Sequence, residues 1–516
     1  MKVKDHQQQR TRNEDSKKVF STLWDSAVAR TTGGAILTEG NRITYLKNAE
    51  ENFPAWLEGI ASAESFICIE MYKWDVVGFG QEVRELLIQK LQQGIRVYII
   101  YDWFGSLKAH WKGFFRPLRQ QGAQVYAFNK LSLFSIPGIL FRDHRKTIII
   151  DGRLSYVSGL CISSDWEGNV EKAIEPWRDS GLAMEGLVSL EVLKAFKDTW
   201  SHLSHTSFNE EALPLQARHE EQALAKARVV ATKLFKVNML RLDLLAITFA
   251  KTSIWIADAY FMPTKLYLQL LINAAKDGVD VRILAPCTSD VPWIAAISRT
   301  QYRSLLEAGV RIFEWNGSMM HAKTLVVDNR WARVGSTNLN VNSWLANSEL
   351  DIILEGQESV RPLVLAYLED IQHSTEMILS DISQSHLKHE KLKLKDRKKV
   401  AFLNYRSRLL VRQVLTWGKS LDGMLFTGAE KETVVEKSEA YSFLLISIFS
   451  LIVAILFFYL PQTIAYPLAF LSLTVFLTTA HRACQAFYLM KQHQRKRSST
   501  SGEPDNRSWR RINKPK

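Results

Sequence analysis

The stretch "HAKTLVVDNRWARVGSTN" (321–338) sets His321, Lys323, Asp328, Gly335, Ser336 and Asn338 at fixed intervals. Near neutral pH an imidazole can act as a nucleophile or pass a proton. A lysine supplies fixed positive charge to phosphate oxygens, and Ser and Asn supply hydrogen bonds to them. A strand alternates faces, so His321 and Lys323 are predicted to project from one side. "TLVVD" reads as the apolar remainder of that strand. The small residues follow the return strand "WARV", where the backbone can come close to a ligand.

The pattern recurs. "HRKTIIIDGRLSYVSGLC" (144–161) repeats His144, Lys146 and Asp151 at the same spacing, followed by Ser158 and Gly159, and the two histidines lie 177 residues apart. One histidine is half of a site. Two copies related by a pseudo-twofold axis would bring two histidines to a shared interface. One could then attack phosphorus while the other protonates the leaving oxygen, a complete phosphoryl-transfer apparatus that needs no metal.

The supporting elements repeat as well. "LQQGIRVYIIYD" (91–102) parallels "AKDGVDVRILAP" (275–286), and "LRQQGAQVYAFN" (118–129) parallels "LLEAGVRIFEWN" (305–316). Each reads as a helix end, a glycine stop and a short apolar strand. Strands alternating with helices predict α/β layers, in two copies over roughly 40–205 and 225–380. One asymmetry stands out: Asn129 precedes His144 by fifteen residues, whereas Asn316 precedes His321 by five. The extra chain contains the apolar "LSLFSIPGILF" (131–141), either core or a lining for an apolar substrate.

The 516 residues carry a net charge of +13, unevenly spread. Eleven Lys/Arg face two acids over 388–419, and nine face two over 491–516. The repeated part is therefore slightly acidic, which argues against nucleic acid as a partner. Residues 442–460, "SFLLISIFSLIVAILFFYL", hold nineteen positions without a charge, enough to span a bilayer. A second, weaker apolar run covers 464–480. A hairpin with a basic tail places both the tail and the repeated domains in the cytoplasm. Before it, "KKVAFLNYRSRLLVRQVLTWGKSL" (398–421) reads as a basic amphipathic membrane-surface helix. The N-terminus lacks the apolar core of a signal peptide. The four cysteines, Cys68, Cys161, Cys287 and Cys484, have no metal or disulfide spacing. The pairs His202/His205 and His386/His389 lack acidic or cysteine partners and read as surface residues.

The two motifs resemble the signature of the phospholipase D superfamily, H-x-K-x4-D-x6-G-S-x-N. The second copy matches at His321, Lys323, Asp328, Gly335, Ser336 and Asn338. The first matches at His144, Lys146 and Asp151, then has Ser158, Gly159 and Cys161 in place of Gly, Ser and Asn. "YDWFGS", "IEPWRDSGLAMEG", "DAYFMP" and "NVNSWLANSELD" are most similar to bacterial cardiolipin synthases. The resemblance covers roughly residues 38–380. It implies two tandem phospholipase D-like α/β sandwich domains with pseudo-twofold symmetry, with the site between them. It implies a covalent phosphatidyl-histidine, with His144 as nucleophile and His321 as general acid and base. Lys146, Lys323, Asn338, Ser336 and Ser158 would hold phosphate, and no metal or other cofactor is implied. Asp179 and Glu349 match acids that orient a histidine, whether in their own half or the opposite one. Asp151 and Asp328 are expected to be structural.

The expected organisation is a polar arm (1–35), two phospholipase D-like domains (36–210 and 220–383), a basic amphipathic segment (384–430), one or two C-terminal transmembrane helices (441–490) and a basic cytoplasmic tail (491–516). The leading function is a phosphatidyltransferase of a bacterial inner membrane that makes cardiolipin from phosphatidylglycerol and a second phospholipid. A phospholipase D hydrolase, in which water resolves the intermediate, is the alternative. A nuclease and an inactive scaffold are further from the pattern. Cysteine is a weaker donor than asparagine, so Cys161 predicts a less effective first half.

Overall fold

A computed structural model of the chain describes residues 24–130, 141–169, 174–204, 208, 225–233 and 236–379. The apolar insertion at 131–140, the link between the repeats and everything beyond 379 lie outside the described residues. So do the expected membrane-surface helix, transmembrane hairpin and basic tail.

Seven strands form in the first half: β1 (Thr38–Lys47), β2 (Phe66–Met71), β3 (Arg96–Asp102), β4 (Gln124–Phe128), β5 (Lys146–Ile150), β6 (Leu154–Ser158) and β7 (Ser180–Glu185). Eight follow in the second: β8 (Ala225–Thr232), β9 (Ser253–Asp258), β10 (Asp280–Pro286), β11 (Arg311–Trp315), β12 (Lys323–Val327), β13 (Trp331–Gly335), β14 (Glu349–Glu355) and β15 (Ser374–Met377). The spatial order is β4-β3-β2-β5-β6-β7-β1 in one half and β11-β10-β9-β12-β13-β14-β8 in the other, with β15 added at the outer edge. Position for position these are one order. The halves meet where β1 pairs antiparallel with β8, at Thr38 opposite Ala227 and Asn41 opposite Ala225. Asn41 fastens that seam: its amide donates to the Ala225 carbonyl (3.2 Å) and its Oδ1 accepts from the Val188 N–H (2.9 Å). The architecture is thus α/β, with two phospholipase D-like halves sharing a fifteen-stranded sheet.

The strands carrying the motifs are buried along their whole length, β5 as "KTIII" and β12 as "KTLVV". Such runs require cover on both faces. Helices Asn48–Ala61 and Phe79–Gln92 cover the outer face of the first half, and Asn238–Phe249 and Lys265–Lys276 that of the second. The inner faces share one apolar core, in which helix Leu187–Leu203 contributes Val188, Val192, Phe196 and Trp200, and helix Gln357–Gln372 contributes Val360, Leu363 and Tyr367. Each of these two helices packs on both β1 and β8. Each starts after a left-handed glycine, Gly186 (φ 115°) and Gly356 (φ 107°), a conformation other residues rarely adopt. Cys68 and Cys161 are buried, and Cys287 is half-buried.

Candidate active site

The motif strands begin at Lys146 and Lys323, so each histidine sits in a two-residue lead-in before its strand. The lead-ins leave their own sheets. The His144 N–H donates to the Ser348 carbonyl (2.9 Å) and the Ser348 N–H to the Arg142 carbonyl (2.8 Å). In the same manner the His321 N–H donates to the Arg178 carbonyl (2.7 Å) and the Arg178 N–H to the Met319 carbonyl (2.8 Å). Each histidine segment is therefore hydrogen-bonded to the opposite half, next to that half's acidic residue.

The side chains repeat the exchange. Glu349, from the second half, receives His144 Nδ1 at 2.9 Å, and Asp179, from the first half, receives His321 Nδ1 at 2.7 Å. Burial pushes the Asp179 carboxyl up, but Lys323 and His321 outweigh it and hold it below the ordinary range. Burial likewise opposes ionisation of Glu349, and His144 and Lys146 reverse that, so its carboxyl too is lowered. Ionised carboxylates only accept, so each Nδ1 donates to its carboxylate, which leaves His144 Nε2 for chemistry and His321 Nε2 beside the Lys323 ammonium. Burial lowers His144, assisted by Lys146 and opposed by Glu349. Burial and the neighbouring Lys323 take His321 down to about 4. Both imidazoles are therefore held toward the neutral form. Each also feels the lysine of the other motif, His144 that of Lys323 and His321 that of Lys146, so the four groups lie within electrostatic reach of one another.

Lys146 donates to the His144 carbonyl (2.6 Å), and Lys323 to the His321 carbonyl, with its ammonium 3.1 Å from His321 Nε2. Burial lowers Lys323 to about 8, with Asp179 opposing and Lys146 assisting. Tyr72 lies edge-on to His144 (4.9 Å between ring centroids) and Tyr260 edge-on to His321 (5.9 Å).

The small-residue loops differ. Asn338 makes one long bond, to Ser343 Oγ (3.4 Å), and its Oδ1 is buried without a hydrogen-bond partner among the described residues. Nδ2 carries two N–H groups and uses one on that long bond, so the other is the donor it can offer an anion. Ser336 Oγ accepts from the Leu350 N–H (3.0 Å), and Ser158 Oγ donates to the Leu160 carbonyl (3.2 Å). Both hydroxyls are engaged with backbone. Gly159 is where Asp179 comes closest: a Cβ there would stand 2.1 Å from Oδ1. Cys161 is buried, and burial raises its thiol despite the opposing charge of Lys146.

Asp151 and Asp328 stand apart from the histidines. Asp151 accepts from the N–H groups of Glu64, Ser65 and Phe66 (2.9, 2.7 and 2.8 Å). Asp328 does the same for Lys251, Thr252 and Ser253 (2.9, 2.6 and 3.0 Å). Both have a left-handed backbone (φ 53°) and tie the turn before β2 or β9 to the end of the motif strand.

Sequence reasoning missed the residues that hold the acids. Trp166 Nε1 donates to Asp179 (2.9 Å), and Asn347 Nδ2 to Glu349 Oε1 (3.0 Å). Asn347 stands two residues before its acid, as Trp177 stands before Asp179, and residues i and i+2 of extended chain share a side. That spacing was available in "WRDS" and "NSELD"; Trp166, thirteen residues away, left no such signal. His202 is exposed, its Nδ1 beside the Asp198 carbonyl; the other three of the paired histidines lie outside the described residues.

Residues 57–176 and 244–371 match a family model described as "Cardiolipin synthase, PLD-like domain". The chain is 30% identical over 361 residues to cardiolipin synthase 1 of Bacillus anthracis, covering 68% of this chain and 70% of that protein. It is 32% identical over 351 residues to a Geobacillus cardiolipin synthase (67% and 70%). It is 31% identical over 348 residues to a probable cardiolipin synthase of Bacillus subtilis (66% and 68%). Among solved structures, phosphatidylserine synthase of Haemophilus influenzae superposes with a TM-score of 0.52 at 14% identity, covering 68% of this chain and 92% of that one, a likeness of fold. The chain is an enzyme of the phospholipase D superfamily and belongs to its cardiolipin synthase family.

Proposed function

We propose that this enzyme is a phosphatidyltransferase that forms cardiolipin from phosphatidylglycerol and a second phospholipid through a phosphatidyl-histidine. The observation that carries the reading is the pair of exchanged histidine–carboxylate contacts beside two lysines. His144 Nε2 attacks phosphorus, and the bond from phosphorus to the glycerol oxygen breaks. His321 gives that oxygen a proton. A lipid hydroxyl then enters, His321 takes its proton, and the new oxygen–phosphorus bond displaces His144. Substrate itself supplies the switch in protonation. A phosphodiester anion placed against Lys146 and Lys323 offsets the part of the lowering that comes from the lysines, beside that from burial, and its own negative charge favours a protonated His321 on binding. Lys146, Lys323 and the second N–H of Asn338 Nδ2 hold the phosphate. Ser336 and Ser158, engaged with backbone, act mainly by fixing the loops, and Asp151 and Asp328 are structural.

The proposed organisation keeps the phospholipase D-like domains at 36–210 and 220–383, and membrane attachment through 384–430 and 441–490. The catalytic domains and the tail at 491–516 then face the cytoplasm from a bacterial inner membrane, with 1–35 a polar arm. The test is purified full chain in detergent with labelled phosphatidylglycerol. The label is expected in cardiolipin. Label appearing only in phosphatidic acid would make water the acceptor and the enzyme a hydrolase; no turnover of phosphatidylglycerol would overturn the reading.

A further inference from the structure

The ends of β2, β3, β9 and β10 on the motif side carry loops around the site. Exposed large apolar side chains follow several strands at this end: Val77 after β2, Phe104 and Trp111 after β3, Ile297 after β10 and Val341 after β13. Trp111 is 75% exposed and Phe104 55%, unusual for side chains of their size. The segment that bears them is firmly seated. Phe114 and Phe115 are buried against Trp74, Phe115 stacks on Tyr101 (4.3 Å), and the Tyr101 hydroxyl contacts His110 Nδ1 (2.7 Å). Ala109 faces inward, while Lys108, Trp111 and Lys112 are exposed and lie three or four residues apart on one helical turn.

The platform is also tied to the first histidine. Asp102 accepts from the N–H groups of Phe104 (3.0 Å) and Gly105 (2.9 Å), and from that of Asp143 (2.9 Å), the residue before His144. Ser106 Oγ donates to the Tyr72 carbonyl (3.1 Å), and the Tyr72 ring borders His144.

We propose that the 103–112 platform is a docking surface for a bilayer containing anionic phospholipid, with Phe104 and Trp111 entering the interface and Lys108 and Lys112 contacting headgroups. Tryptophan favours the boundary between lipid and water, and cations next to it complement an anionic surface. Water-exposed aromatic rings on a rigid support fit such an interface, and the ties to Asp143 and Tyr72 set the interface beside His144. The inference rests on the lipid-transfer reading above, but its test does not depend on turnover.

Full-length protein carrying Trp111→Cys and Cys287→Ser is labelled with an apolar, polarity-sensitive fluorophore and reconstituted into phosphatidylglycerol vesicles. A matched protein carries the label at Ala61→Cys, at the opposite end of the sheet. The label at 111 is expected to shift to the blue and be quenched by lipids spin-labelled near the headgroup; the label at 61 is not. Equal quenching at both positions, or none at 111, would overturn the proposal. So would a blue shift at 111 that appears without lipid when the protein self-associates, since a second copy would then be the occupant. In a second measurement Lys108→Glu with Lys112→Glu should weaken turnover of vesicle phosphatidylglycerol by about fivefold or more per charge, and leave a short-chain monomeric analogue within about twofold. Equal losses on both substrates would contradict a membrane role.

Discussion

The two halves share one strand order and one H-x-K-x4-D motif, yet their sites are built differently. The first motif is embedded among charges, "RDHRK", with Arg142, Asp143 and Arg145 buried; the second is "MMHAK", with Met319, Met320 and Ala322 buried. Arg145 reaches the Glu349 carbonyl (3.2 Å), Thr199 Oγ1 (2.7 Å) and Glu70 (3.4 Å), so the first lead-in is fixed by polar bonds to both halves. The small-residue loops reverse the contrast. Arg333 lies within ion-pair range of Asp243 (3.4 Å) and Asp351 (3.6 Å) and donates to the Thr337 carbonyl (2.9 Å). Asp351 also binds Thr337, and Asp258 accepts from the Leu339 N–H (2.9 Å). Asn338 is thus held on both sides by buried acids. At Arg333's place the first half has Tyr156, bonded to the Ala55 carbonyl (2.7 Å), and the loop that ends in Cys161 is held by neutral bonds. One half anchors its histidine with charge and the other anchors the Asn338 loop with charge. A duplicated domain can divide its work in this way because each copy needs only part of the apparatus.

The largest effects should test the exchange of carboxylates. His144→Ala and His321→Ala should each lower turnover by about two to four decades. Asp179→Asn should cost about a hundredfold or more by freeing the imidazole it orients. Added to His321→Ala it should cost little further, because the two act as a unit, whereas added to Glu349→Gln it should cost again. Full additivity of Asp179→Asn with His321→Ala would break the pairing.

The buried charges of the second half predict a stability difference. Arg333→Met strands Asp243 and Asp351, and breaking a buried pair in this way costs about 3–5 kcal/mol. Tyr156→Phe, its counterpart, removes one hydrogen bond and should cost about 1 kcal/mol. Chemical denaturation compares them, and equal losses would deny the asymmetry.

Asn338→Cys should slow turnover about tenfold or more, the value of a hydrogen bond to a charged group. Cys161→Asn should be tolerated or mildly activating. If the two substitutions prove equally damaging, the Cys161 thiol has a packing function of its own.

The smallest effect is in the pH profile. With His321 near 4 and a proton taken up as substrate binds, kcat/KM should fall about tenfold per pH unit from about pH 5 to about pH 7.5. Above that range Lys323, near 8, also loses its charge and the fall steepens. Lys323→Arg should move the alkaline limb upward, since a guanidinium keeps its proton. An unmoved limb would assign it to another group.

Much of this was legible in the sequence, because duplication writes each feature twice. The repeated glycine stops at 94/278 and 122/309 precede β3/β10 and β4/β11, as their spacing predicts. One expectation is shifted by tertiary structure. The histidines were read as strand residues, but their backbones bond across the halves, a choice that no local pattern encodes. For the same reason the sequence left open which acid faces which histidine. Trp166 and the Arg333 cluster could not be found either, since their partners lie in other elements and a buried arginine reads like an exposed one.

The central claim is that the halves are unequal partners, with His144 forming the covalent bond and His321 moving the proton. It is tested most directly by mixing the enzyme with phosphatidylglycerol, quenching in alkali, where phosphohistidine survives, and mapping the adduct by peptide mass spectrometry. A phosphatidyl group on the peptide containing His144, present in wild type and absent in His144→Ala, is the predicted result. An adduct on the peptide containing His321, or turnover without any adduct, would contradict it.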